Sequence, residues 1–179
     1  MLLLAEQIRD LQDKLDKIAN KAIDKPITNN TTNNTLNFTS CIDFNDTDKI
    51  KNVIQNSLNI NHIVDGQKGI ANFVKDTLLT DDSGQLLYIC TDPSRYIFKY
   101  KDSTGEVRKD IEAKKLTNYI LEGGIRIKSA TIGNEWYKDD IGDIDMNKFS
   151  IIMEQQENIM KLQDDNNNFK KELVSITTV

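Results

Sequence analysis

The chain has 179 residues with a net charge of −5, and 38% of its side chains are hydrophobic. That length holds one ordinary domain plus helical attachments, and the apolar share is below that of a chain folded around one large core. No stretch approaches the ~20 apolar residues that a membrane-spanning helix needs. Met1-Leu2-Leu3-Leu4 is too short for a signal-peptide core and is followed at once by Glu6, Arg9 and Asp10. A soluble, intracellular protein is expected.

Residues 1–25 read as a coiled coil. Met1, Leu4, Ile8, Leu11, Leu15, Ile18 and Ala22 alternate at spacings of three and four. One helix cannot bury such a stripe alone, so Leu4, Ile8, Leu11, Leu15, Ile18 and Ala22 are the expected oligomerisation residues. Ile and Leu occupy both seam positions, and the flanking Ala5 and Ala19 are small. These features favour a trimer slightly over a dimer. The alternative is an amphipathic helix packed on its own domain.

Pro26 ends this helix, and residues 26–40 read as a flexible linker, with the run Thr28-Asn29-Asn30-Thr31-Thr32-Asn33-Asn34-Thr35 at its centre. Such side chains compete for backbone hydrogen bonds and build no core. The Asn-x-Thr triplets here are what an Asn/Thr-rich run produces by chance.

Residues 41–138 are expected to form a small α+β domain. Asp46 or Thr47 can cap a helix through Leu58, with Ile50, Val53, Ile54 and Leu58 on one face. A turn or short helix follows at Asn61–Gly66, then a helix over Gln67–Leu79 with Ile70, Phe73, Val74 and Leu78 inward. Leu86–Thr91 and Tyr96–Lys101 read as the strands of an antiparallel hairpin broken by Asp92-Pro93-Ser94. Glu106-Val107-Arg108 returns the chain, and a helix is expected from Asp110 to the Gly123-Gly124 stop. Residues 139–179 read as a C-terminal helix over Met146–Leu173, a candidate second coil. In it Gln156 and Gln163 stand where a heptad would want Leu.

Charge is distributed unevenly. Residues 91–138 hold ten basic and seven acidic groups, whereas residues 139–179 hold four and nine. The acidic end argues against general coating of nucleic acid. A local basic face is still available: Arg95, Lys99, Lys101, Arg108, Lys114 and Lys115 are the candidate contacts to a partner or to nucleic acid. Tyr96, Phe98 and Tyr100 alternate with the strand lysines, so they either stack on bases or form the inner face of a half-buried strand. The second reading is the ordinary one.

No catalytic or metal set emerges, and no cofactor is expected. Cys41 and Cys90 form no CxxC pair and read as buried free thiols, and the single His62 leaves no zinc set or His-based triad. Gly66-Gln67-Lys68-Gly69 lacks the phosphate-loop frame. Asp139, Asp140, Asp143 and Asp145 do not match an EF-hand.

Across residues 60–120, several runs carry a family resemblance: Val64-Asp65-Gly66-Gln67-Lys68-Gly69-Ile70-Ala71, Tyr88 through Arg95, Phe98-Lys99-Tyr100-Lys101-Asp102, Lys109-Asp110 and Ala113-Lys114-Lys115-Leu116-Thr117. They resemble an uncharacterised domain family of nucleocytoplasmic large DNA viruses, mimivirus relatives included. Cys90-Thr91-Asp92, with Ser94-Arg95 after Pro93, is the most specific element. The resemblance implies a viral origin and a preceding coiled coil, and supplies no activity. Abundant Asn, Ile and Lys, whose codons are rich in A and T, agree with it. The expectation is an oligomeric, non-enzymatic viral structural or scaffolding protein whose stalk presents a protein-binding head. It would act in the cytoplasm or viral factory of an infected host, or in the virion, without contacting membrane. The alternative is a nucleic-acid-binding regulator using the basic hairpin and adjacent helix.

Overall fold

The computed structural model describes residues 36–138 and 141–178. The expected coil over 1–25 and the linker up to residue 35 lie outside the described residues. Residues 37–179 make one compact unit. Among the described residues the fold is α+β, with seven α-helices and one three-stranded antiparallel sheet. No described helix is long and apolar enough to cross a membrane.

The helices begin where their caps dictate. Helix α1 (Thr47–Ser57) starts at Asp46, whose carboxylate accepts the Lys49 N–H. Helix α2 (Ile60–Ile63) is opened by Asn59, which accepts from Asn61 N–H, while His62 Nδ1 accepts from the Asn59 N–H. Helix α3 (Gly66–Leu78) turns Ile70, Ala71, Phe73, Val74 and Leu78 into the core. It packs tightly on α2: a Cβ on Gly69 would lie 1.9 Å from the His62 carbonyl oxygen.

Strands β1 (Tyr88–Asp92), β2 (Ile97–Lys101) and β3 (Val107–Ile111) follow in spatial order. The β1–β2 connection contains a bulge between Cys90 and Asp92 and a 3₁₀ turn at Pro93–Arg95. The Asp92 carboxylate holds that turn by accepting from Arg95 N–H and the Ser94 hydroxyl. Asp92 is thus an Asx-type cap on a tight corner. Tyr88, Cys90, Phe98 and Tyr100 form the buried face of the sheet, and Tyr88 stacks on Phe98 at 4.9 Å. Alternation, not base stacking, explains Phe98 and Tyr100. Tyr96 is half-buried in a left-handed conformation.

Helix α4 (Lys114–Glu122) corrects the expected start at Asp110. Asp110 lies in β3, and Ile111 is 56% exposed on the strand rather than part of a helix stripe. The chain turns through Glu112 and Ala113, both at positive φ. Asp110 then caps α4 from behind, accepting from Lys115 and Leu116 N–H at 3.0 Å each. Helix α5 (Ile125–Trp136) follows Gly124 and was absent from the sequence reading.

The C-terminal segment is two helices, not one coil: α6 (Met146–Met160) and α7 (Asn167–Thr177), separated by a 3₁₀ turn at Lys161–Gln163. Ile152, Ile159, Leu162, Phe169 and Leu173 join the same core as α1–α4, so this segment belongs to the head. Gln156 is buried because its amide reaches the Ser129 and Ala130 carbonyls of α5. Gln67 on α3 donates to the Asn158 and Asp165 carbonyls at 2.7 Å each and accepts from Phe169 N–H, pinning the α6–α7 connection. At the other end Phe38 is buried, so the last residues of the expected linker are already part of the head. Cys41 is exposed and Cys90 buried, correcting the reading of both as buried thiols.

Candidate functional site

The six candidate basic residues do not converge on one surface. Lys99 and Lys101 lie on the outer face of the sheet, alternating with the buried Phe98 and Tyr100. There Lys99 sits directly opposite Lys109, Lys101 opposite Val107, and Ile97 opposite Ile111.

The hydrogen-bond phase of the β2–β3 ladder makes these pairs close. Asp102 N–H donates to the Glu106 carbonyl and Glu112 N–H to the Tyr96 carbonyl. Bonded and non-bonded pairs alternate along an antiparallel ladder. The bonded pairs are therefore Phe98 with Asp110 and Tyr100 with Arg108, while Lys99–Lys109 falls on a non-bonded position. Its Cα atoms are only ~4.5 Å apart, where side chains crowd most. Like charges directly opposite destabilise a sheet. Among the described residues, no carboxylate is paired with Lys99, Lys101 or Lys109. Val107 and Ile111, 52% and 56% exposed, flank this triad with apolar surface.

The same phase aims the N–H and C=O groups of Val107, Lys109 and Ile111 away from β2. Strand β3 is the outer strand of the sheet, so those groups form an open edge among the described residues. The opposite edge differs: Cys90 on β1 bridges Thr178, just after α7, in parallel fashion. Lys109, Val107 and Ile111 were missed from the sequence as site residues. Val107-Arg108-Lys109-Asp110-Ile111, three charged residues between two apolar ones, carries no period-two alternation that would mark it as a strand.

The other four basic residues are engaged nearby. Arg95 pairs with Asp92 at 3.8 Å, and Lys114 with Glu112 at 3.2 Å. Arg108 Nε binds Asp102 at 2.7 Å and its Nη2 binds Glu106 at 2.5 Å. Lys115 Nζ donates to the Tyr100 hydroxyl at 3.2 Å and lies over that ring, 5.7 Å from its centroid. Arg108 and Lys115 do share a cavity of about 390 Å³, with Phe44, Tyr100, Asn118 and Tyr119 among its walls. Asp43, Asp102 and Glu122 also line it, so its cations face carboxylates. Asp102 additionally accepts from Thr104 and Glu106 N–H, which shapes the β2–β3 turn. The Arg108 hydrogen bond holds the Asp102 carboxyl well below the usual carboxylate range, followed by the Thr104 hydroxyl bond. This cavity has the chemistry of a braced turn.

Cys90 and His62, the buried cysteine and the single histidine, have structural surroundings. Burial pushes the Cys90 thiol up, away from the thiolate form, and a bond from Thr178 only partly opposes it. Burial lowers His62, whose Nδ1 serves the α2 cap and whose ring packs against Phe73 at 5.1 Å. Gly66–Gly69 is used for close helix packing, with Gln67 turned inward. Asp145 caps α6 by accepting from Asn147 and Lys148 N–H. No group of three His, Cys, Asp or Glu able to hold a metal occurs among the described residues. Comparisons of the chain with family models, curated proteins and solved structures gave no match.

Proposed function

We propose that this chain is an oligomeric viral structural or scaffolding protein whose α+β head docks a protein partner through the outer face of its sheet. The observation that carries the docking role is the uncompensated triad Lys99, Lys101 and Lys109 beside exposed Val107 and Ile111. A fold gains nothing internally from setting two lysines face to face on adjacent strands, whereas a partner of opposite charge turns that cost into attraction. The heptad seam at Leu4, Ile8, Leu11, Leu15, Ile18 and Ala22 supports the oligomeric role. Several heads on one stalk would raise binding to a repeated partner through effective concentration. The viral assignment rests on the resemblance across residues 60–120. Within this reading the protein works inside an infected host or in the virion.

Static light scattering on the full chain tests the oligomeric part. A trimer, or failing that a dimer, of the 20.4 kDa chain is expected, and a monomer at tens of micromolar contradicts it.

The nucleic-acid reading keeps one supporting observation, the same lysine triad. Its proposed stacking residues Phe98 and Tyr100 are buried, and Arg95, Arg108 and Lys114 are ion-paired. That reading requires affinity for nucleic acid at low salt that falls linearly in a log–log plot as salt rises.

A further inference from the structure

We propose that β3 accepts a fourth, antiparallel strand from a protein partner, and that the incoming segment is acidic. This deepens the docking reading and rests on it. Two independent features of the same strand carry the inference. The first is the open edge: the outward N–H and C=O groups of Val107, Lys109 and Ile111 have no partner among the described residues, while the β1 edge is bridged by Thr178. Such an edge can supply main-chain hydrogen bonds to an extended peptide.

The second feature is the face that the added strand would extend. Its side chains on the outer face would line up beside Val107, Lys109 and Ile111, continuing the row Ile89–Lys99–Lys109 across the sheet. A carboxylate opposite Lys109 would relieve the Lys99–Lys109 repulsion. Apolar residues on either side would cover Val107 and Ile111, which are half exposed. A lysine in the middle of an open edge discourages neutral and basic strands from adding. It does not discourage one bearing carboxylates, so the residue that protects the edge also selects the partner.

A second copy of this chain fits less well. Antiparallel β3–β3 pairing would bring two Lys109–Lys99 rows together, repeating the like-charge contact that the edge already carries. Nucleic acid also fits less well, because a strand edge offers backbone groups in extended spacing, and the rings of β2 face the core.

The test uses the full chain, ¹⁵N-labelled, at low salt. The probe is a blocked peptide of about ten residues in which every second position is Val or Glu in turn and the positions between are Thr, so that one face reads Val-Glu-Val opposite Val107, Lys109 and Ile111, within the usual strand length. Expected are chemical-shift changes centred on Val107–Ile111 and new protection of the Val107, Lys109 and Ile111 amides. Affinity should fall by about tenfold or more in the Lys99→Glu/Lys109→Glu double variant, whose side chains lie on the outer face and whose folding is checked by circular dichroism. It should fall comparably for the same peptide N-methylated at every residue, which keeps the charge but removes the backbone donors on both edges. The Lys-for-Glu peptide should not bind.

Equal affinity for the double variant, or for the N-methylated peptide, overturns the inference. So does an oligothymidylate that binds β3 more tightly than the peptide. Edge amides that are protected without peptide and lose protection on dilution identify a second copy as the occupant, and also overturn it. Light scattering on the same sample separates this inference from the oligomer. A stalked oligomer that ignores the peptide overturns the acidic-strand inference alone. A monomer that binds the peptide at β3 supports the inference and overturns the oligomeric reading.

Discussion

Replacing Asp110 tests the corner that joins the sheet to α4. Its carboxylate, 1% exposed, accepts the Tyr88 hydroxyl at 2.9 Å and the N–H groups of Lys115 and Leu116 at 3.0 Å. Asp110→Ala leaves two fully buried donors, the Tyr88 hydroxyl and the Leu116 N–H, with no acceptor, while exposed Lys115 can turn its N–H to water. Each orphaned buried donor costs about 1–3 kcal/mol. The lost hold on the left-handed Glu112–Ala113 turn adds to that, so a total loss of roughly 3–5 kcal/mol is expected. A unit of this size is stable by about 7–15 kcal/mol, so the variant should fold but unfold at much lower denaturant. Asp110→Asn keeps one acceptor oxygen and should cost roughly 1–3 kcal/mol. Tyr88→Phe leaves both helix N–H groups capped and should cost about 1 kcal/mol. Guanidinium unfolding, followed by the fluorescence of the single tryptophan, Trp136, measures all three. The Asp110→Ala and Tyr88→Phe losses should be non-additive, because the second removes a donor that the first orphans. An Asp110→Ala loss below about 1 kcal/mol, or strict additivity, would refute the reasoning.

Gly133→Ala should destabilise the head by about 1–3 kcal/mol, because a Cβ there would lie 2.1 Å from Gln156 Nε2 and 2.8 Å from Ile152 Cγ1. Helix propensity alone predicts a gain of about 1 kcal/mol, so thermal unfolding decides by sign. Tyr119 is pushed up to about 12 by burial and then by the charges of Asp46 and Asp43. Its neutral form is the one the fold favours, so its contribution is full below about pH 10 and lost as pH rises through about 12. Ultraviolet titration should show Tyr119 and Tyr88 ionising above the ordinary tyrosine range. Asp81 is lowered to about 2, chiefly by the Thr39 hydroxyl and then by Ser83. Its contribution is present above about pH 4 and lost as pH falls through about 2. Thr39→Ala should move the Asp81 midpoint upward in a carboxyl NMR titration, and an unchanged midpoint would contradict that contact.

Where side-chain period controls burial, the sequence was readable. The stripes Ile50/Ile54 and Ile70/Phe73/Val74 place α1 and α3, and the alternation Phe98/Tyr100 against Lys99/Lys101 places β2 with its correct inner face. The start of α4 was misread because Asp110 looks like a cap at the head of a helix. It does cap one, but from the preceding strand, across two residues at positive φ that are not glycine. Helix α5 escaped notice because its inward residues are Ile125, Ser129 and Gly133, while Ile127 is 75% exposed. Close approach of α6 makes small residues and a glutamine amide suit that contact, and no apolar stripe results. Lys99 and Lys101 were legible as contacts, but Lys109 was not, since a helix was expected to begin at Asp110. Only the register of β2 against β3 shows the lysines facing one another.

Amide hydrogen exchange along β3 in the full chain, without any ligand, tests the open edge most directly. The account predicts that Val107, Lys109 and Ile111 exchange much faster than their neighbours Arg108 and Asp110, whose N–H groups are bonded to β2. Addition of the acidic peptide should then slow those three alone. Equal, strong protection of all five amides in the free protein would contradict the account, because β3 would already be a covered strand.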